Sequence, residues 1–291
     1  MRGLFLAFFT LSGADVPGPD AAAIMRTMAE RMESAVDARR QYVYRQSVRA
    51  RLLKTNGERA REERREYTAA PGPERTEKKL DLLAGEYYKS KKEIIKYHQP
   101  GFKKGGLDID GELMEDLIDD LVNSKKSRDG IPHGVFPLRT KDLPGYKFTY
   151  VAAAEAQGRA AHRIAFEPAV KTSNCLTIGD EDEDEECRSA WKGEAWVDAE
   201  DLQPVRIFTD STFRMPRAIK MLLGTNLQQV GFNVSYVRVA PGIWFPATYG
   251  TEFRVDVLFR YKRVITLSLE SKEFRRAGAE SQIRYDPPAV P

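Results

Sequence analysis

The sequence predicts a mainly β protein in which helices lie on one large antiparallel sheet. Three observations predict it. Apolar residues alternate with a period of two through most of the chain. No helical crossover separates the strand-like segments after Gly145, so neighbours pair antiparallel. Two longer stretches, 20–40 and 108–122, change to helical spacing. A hydrophobic fraction of 42% in 291 residues supplies an ordinary core for such a sheet.

Ala21, Ile24, Met25, Met28, Met32 and Val36 fall at helical spacing, with Asp20 at the N-cap. The methionines read as a core-facing stripe or as a pliable binding stripe. From 41 the period becomes two. Tyr42, Tyr44, Val48 and Leu52 open a long strand, and Asn56-Gly57 is a hairpin turn. The return strand from Arg59 to Tyr67 is highly charged, and Pro71-Gly72-Pro73 ends it. Residues 79–89 and 93–97 are the next strands. Residues 45–104 hold 17 Lys+Arg against 9 Asp+Glu. That surplus reads as a solvated outer sheet face, or as a face that meets anionic lipid headgroups or an acidic partner.

The helix at 108–122 places Ile109, Leu113, Leu117, Ile118, Leu121 and Val122 on one side and acidic residues on the rest. Inside a β protein, such a helix must lay its apolar side on the sheet. After Gly145, Tyr146, Phe148 and Tyr150 alternate, as do His162, Ile164 and Phe166. Strands follow at 191–197, 205–213, 227–239, 244–259 and 261–274. Turns at 198–204 and Pro241-Gly242 separate them, and 215–223 forms a short helix.

The 29 Phe, Tyr and Trp residues concentrate at alternate strand positions. A sheet face lined in this way needs a helix or a ligand to cover it. The residues expected around such a ligand are Phe232, Tyr236, Phe253, Val255, Val257 and Phe259, with Leu117 and Leu121 above them. Core packing is the alternative for each.

The first residues have the layout of a secretory signal: Arg2, an apolar run from Leu4 to Leu11, and small residues at Ser12-Gly13-Ala14. Three segments are expected: a signal peptide at 1–14, one domain at 15–275 and a flexible tail at 276–291. No cysteine follows the apolar run, so lipoprotein-type attachment is not expected, and an exported, soluble, envelope-side protein is expected. Cys175 and Cys187, the only cysteines, are expected to bridge in that oxidising compartment. The bridge contributes on the order of 3 kcal/mol in the chain-entropy model.

Recognisable catalytic chemistry is sparse. His98, His133 and His162 have no metal-ligand spacing. No nucleophile elbow or phosphate-binding loop occurs, and a spatial carboxylate pair stays open as a hydrolase alternative. No cofactor, metal or catalytic residue is expected. Seven consecutive acidic residues run from Asp180 to Glu186, as a solvated loop or a Ca²⁺ collector without the EF-hand pattern. A net charge of +3 gives no electrostatic case for nucleic acid.

Two segments carry a resemblance. Trp191-Lys192-Gly193-Glu194-Ala195-Trp196-Val197-Asp198, followed by Leu202-Gln203-Pro204-Val205-Arg206, resembles a hairpin of periplasmic lipoprotein-sorting proteins. Gly242-Ile243-Trp244-Phe245-Pro246 is similar to a turn that starts one of their strands. With the leader and the first helix, the chain resembles the LolA/LolB-like half-barrel superfamily. The resemblance implies a large curved antiparallel sheet, an open half-barrel, with helices covering the concave face and an apolar cavity for lipid or lipoprotein acyl chains. A membrane surface or an envelope protein is a further implied partner. The chain is longer than the sorting carriers and adds the acidic loop and the basic segment.

Overall fold

The computed structural model describes residues 19–72, 75–90, 93–123, 138–170, 191–211, 225–228, 231–257 and 261–278. Helix α1 (Ala21–Ser34) starts at Asp20, whose carboxylate accepts from the N–H groups of Ala22 and Ala23 at 3.0 and 3.1 Å. The expected 20–40 helix is interrupted at Ala35 and resumes as the single turn α2 (Val36–Arg39). Strands β1 (Tyr42–Leu53) and β2 (Arg59–Pro71) flank the Asn56-Gly57 turn, where Gly57 takes a φ of 81°. β3 (Thr76–Tyr88), β4 (Ile94–Tyr97) and α3 (Ile109–Asn123) follow.

The second half is strand. β5 (Tyr146–Ala156) turns through Gln157 and Gly158, both at positive φ, into β6 (Arg159–Pro168). Then come β7 (Trp191–Asp198), β8 (Pro204–Ser211), β9 (Thr225–Gln228), β10 (Gly231–Ala240), β11 (Ile243–Val257) and β12 (Tyr261–Arg276). The strand expected over 227–239 is two elements. β10 pairs with the first part of β11 and β9 with its last four residues.

All pairings among the described residues are antiparallel, in the order β4-β3-β2-β1-β12-β11-β10-β8-β7-β6-β5, with β9 beside β11. The first strand pairs with the last, which joins a four-stranded meander to the long C-terminal one. β4 and β5 are the two ends of this path and do not meet, so the sheet is an open half-barrel.

One cluster forms the main core. Met25, Met28 and Met32 of α1 and Met114, Ile118 and Leu121 of α3 join Val48, Leu52, Ile164, Ile207, Val234 and Leu267 of the strands. α1 lies against β5 and β7, and α3 against β1 and β2. A smaller cluster holds Tyr42, Tyr44 and Phe245 with Phe274. No described helix is long and apolar enough to cross a membrane. Residues 1–14, the 215–223 helix, His133, Phe259, the acidic run and both cysteines lie outside the described residues.

The charged β2 departs from expectation. It is not simply a solvated face: Arg61, Glu63 and Arg65 are buried, on the same side as Tyr67, while Glu62, Arg64 and Glu66 point the other way.

Candidate functional site

Six of the eight residues expected around a ligand can be placed by their side chains, and all six belong to the main apolar cluster. Phe232, Tyr236 and Leu121 are buried in it. Phe253, Val255 and Leu117 are half-buried against it, together with Leu113 and Tyr249. The ring of Phe232 meets Trp191 edge-on at 4.9 Å and Tyr249 at 5.7 Å. Val257 is placed by its backbone alone, opposite Tyr261 and Thr225. The face therefore has a closed centre and a half-buried apolar fringe formed by β11 and α3. Deeper in β6, His162 stands 3.4 Å from the Tyr150 hydroxyl.

A buried polar network ties α3 to the sheet. Asp108 precedes the helix, and its Oδ1 accepts from the N–H of Gly111 at 3.1 Å. Its Oδ2 accepts from Arg61 Nη1 at 2.9 Å and from the N–H of Lys104 at 3.0 Å. Arg61 also donates to the Tyr97 hydroxyl at 2.8 Å and to the Phe102 carbonyl at 2.5 Å. The Tyr97 hydroxyl donates to Glu63 at 2.8 Å. Arg65 bridges Glu63 and Glu115. On the helix's other flank, Asp110 accepts from Tyr261 at 2.6 Å and from Arg263 at 2.8 and 3.0 Å. Acidic residues at a helix start also favour the dipole there. Gly111 is required because Arg61 Nη1 lies 2.7 Å from where a Cβ would stand.

Burial alone would raise the Asp108 carboxyl. The N–H groups of Lys104 and Gly111 and the Arg61 guanidinium outweigh it and hold the group below its ordinary 3.8. Burial would likewise raise Glu115, but Arg65 and the Gly101 N–H outweigh it and hold the group below its ordinary 4.5. Both folded values lie under the unfolded ones, so both carboxylates stabilise the fold above the ordinary range. That contribution is lost as pH falls through the lowered values. Urea titrations at successive pH values should show stability level at neutral pH and falling below about pH 4.5. Asp108→Asn should flatten part of the fall.

The two segments that carry the family resemblance meet in space. Asp198, buried at the end of β7, accepts from the N–H groups of Glu200 and Asp201 and pairs with Arg159 at 2.6 and 3.0 Å. Asp201, in the β7–β8 turn, accepts from Trp244 Nε1 at 2.9 Å and pairs with Arg238 at 2.7 Å. The bulge that sets Tyr236 opposite Pro246 shifts the β11 side chains by one and brings Trp244 into the main cluster.

Opposite the helices, the outer face of β3, β2, β1, β12 and β11 carries a groove of about 720 Å³. Small side chains (Ser47, Ala84, Thr248, Ser268) lie within it, among Arg49, Arg59, Arg64, Glu62, Glu86 and Glu270. Glu62 is gripped by Arg49, Arg51 and Arg59. The sequence reading found neither this groove nor the Arg61 network. The available signal was the unbroken run of charged residues from Arg61 to Glu66, which in a strand puts charge on both faces. No group of three or more metal-ligating side chains occurs among the described residues.

Fold and site together define an open antiparallel sheet with an apolar cluster, joined by α1 and α3, on one side and a polar groove on the other. No family model matches the chain, and no curated protein matches it. Solved structures do. A DUF1329-family protein from Desulfovibrio piger matches at 11% identity over 90% of this chain and 95% of its own, with a TM-score of 0.36. A LolA-superfamily protein from Nitrosomonas europaea matches at 11% identity over 85% and 92%, with a TM-score of 0.28. MucB from the Pseudomonas aeruginosa MucA/MucB complex matches at 11% identity over 87% and 100%, with a TM-score of 0.25.

Proposed function

We propose that this is an exported, non-enzymatic protein that binds lipid or lipoprotein acyl chains between the sheet and its helices, with α1 and α3 closing over the concave side. The observation that carries the reading is the half-buried fringe of Leu113, Leu117, Tyr249, Phe253 and Val255. These side chains are apolar, only partly covered, and continuous with a fully buried floor. An acyl chain entering there completes the burial of its neighbours without exposing the floor. Phe232, Tyr236 and Leu121 form the floor. A fluorescent fatty-acid probe should bind saturably. A Leu117→Glu/Phe253→Glu variant should bind at least about tenfold more weakly, because a carboxylate is costly to hold against an acyl chain. The absence of saturable binding, together with the absence of lipid in organic extracts of the purified protein, would remove the proposal.

Export has its own test. Protein recovered from the cell envelope should lack residues 1–14 by mass spectrometry and show no free thiol, Cys175 and Cys187 being joined. Two titratable thiols in that material would contradict it. A second reading rests on the outer groove: a partner protein laying an extended segment among Arg49, Arg64 and Glu86. Charge reversal at Arg64 would then disturb partner capture and leave fatty-acid binding unchanged.

A further inference from the structure

We propose that the outer groove is a binding site for a neutral, extended oligosaccharide, with Gly250 keeping its floor open and Phe208 stacking on a sugar ring at one end. Its volume of about 720 Å³ is that of a small-ligand site. The strand register builds it. Phe208, Asn233, Gly250, Ser268, Arg49 and Arg64 stand in line across six strands, from β8 to β2. Large side chains end this row and small ones fill its middle. At roughly 4.8 Å per strand, the stretch from Phe208 to Arg49 is about 19 Å long. The next row of the same face runs through Ser235, Thr248, Glu270 and Ser47.

Gly250 is the residue that points to a ligand. It lies in the middle of the 15-residue β11, where glycine weakens a strand. Neither of the usual structural reasons for it applies. Its φ lies outside the left-handed region, and an added Cβ would meet nothing within 4 Å. What the glycine does provide is open space between Asn233 and Ser268, which a side chain would fill.

The surroundings select an uncharged, polyhydroxylated ligand. Three arginines and three glutamates border the groove, so it carries no net charge. Arg49 and Arg59 are engaged by Glu62, and Arg64 by Glu66. These pairs leave no unmatched arginine to draw an anion. They do keep further guanidinium N–H donors and carboxylate lone pairs, and a sugar hydroxyl, donor and acceptor at once, fits both. Arg206 donates to Asn233 Oδ1 at 3.0 Å, which fixes the amide and leaves its NH2 group as a donor. Phe208 is 47% exposed at the end of the row. Trp196, on the neighbouring strand, already carries Arg163 and Arg206 at 5.4 and 5.6 Å from its ring centre, so Phe208 is the open ring. The CH face of a pyranose packs on such a ring while its hydroxyls meet the polar row. An extended peptide finds no edge to pair with here, because these strands are interior and their backbone groups are bonded on both sides.

The test is isothermal titration calorimetry of the full chain with cellohexaose and chitohexaose, two neutral β-1,4-linked hexasaccharides, and with hexagalacturonate as an anionic comparison. Wild type should bind a neutral chain saturably, and the anionic one at least about tenfold more weakly. Gly250→Val should weaken binding about tenfold or more. Its melting temperature should equal or exceed that of wild type, because valine favours a strand and meets no clash. Phe208→Ala should weaken binding about tenfold and stay folded, since the ring is exposed. No saturable binding of either neutral chain, or equal binding of the anionic one, would overturn the proposal. So would binding that both variants retain in full. A Gly250→Val protein that melts well below wild type would show that packing requires the glycine, and would overturn it too. Capture of a protein through Arg64 without saccharide binding would give the groove to a protein partner and do the same. Neither Gly250 nor Phe208 belongs to the apolar cluster, so the fatty-acid probe should bind both variants as it binds wild type, and this proposal stands or falls separately from the acyl-chain reading.

Discussion

Replacing Arg61 by Met should lower the unfolding free energy by about 3–5 kcal/mol, because it strands a buried carboxylate. The guanidinium is 1% exposed and Asp108 is fully enclosed. Arg61 is also the common donor to Asp108, Tyr97 and the Phe102 carbonyl, and it lies 4.9 Å from the Tyr97 ring centre as a cation over an aromatic face. The single variant leaves Asp108 its two N–H donors and, as countercharge, only Lys104, whose Nζ stands 4.0 Å away. The Arg61→Met/Asp108→Asn double variant should recover part of the loss, since no unpaired charge then remains. Urea unfolding of the four proteins closes the cycle. A single-variant cost below about 1 kcal/mol would show that the network is open to water and does not fix α3. Such a network contributes placement more than stability. The charged contacts of Asp108, Asp110 and Glu115 each specify where the helix starts and which face it turns to the sheet, which an apolar stripe alone leaves free to slide.

Local chemistry was legible in the sequence wherever a short-range rule decides the outcome. Asp20 caps α1 as the serine-like N-cap rule requires, and Asn56-Gly57 makes the first hairpin. The spacing of Phe232, Val234 and Tyr236 put all three on one face of a strand, and in the structure that face packs into the main cluster. What was not legible depends on contacts distant in the chain. Nothing local says that Tyr42–Leu53 pairs with Tyr261–Arg276, and this pairing sets the two sheet edges. The charged run Arg61, Glu63 and Arg65 was read as solvated because partners that make its burial tolerable, Tyr97, Asp108 and Glu115, come from the next strand and from α3. The break between β9 and β10 escaped because both segments alternate correctly, and only β11, long enough to pair with each in turn, separates them. The outer groove is a property of the space between five strands, and no single segment encodes it.

Trp244→Ala should cost about 3–5 kcal/mol, the range for emptying a core site of this size. The indole is 1% exposed and packs in the main cluster. Its Nε1 donates to Asp201 in the β7–β8 turn at 2.9 Å. The same turn receives Arg238 from β10 through Asp201, and Arg31 from α1 through the Asp201 carbonyl. One aromatic side chain therefore holds β11, the β7–β8 turn and, through that turn, the helix lying on β5 and β7. Trp244→Phe separates the two contributions. It keeps most of the ring packing and removes only the N–H, and Asp201 retains Arg238, so the loss should be about 1 kcal/mol. Asp201→Ala should cost little more when combined with Trp244→Phe than alone, because both remove the same hydrogen bond. If Trp244→Ala unfolds in urea within about 1 kcal/mol of wild type, the two resembling segments do not brace each other. If instead the alanine variant is destabilised as expected but binds the fatty-acid probe unchanged at low temperature, Trp244 is a brace for the sheet and the ligand lies nearer α3. That outcome would narrow the acyl site to the fringe of Leu117, Phe253 and Val255.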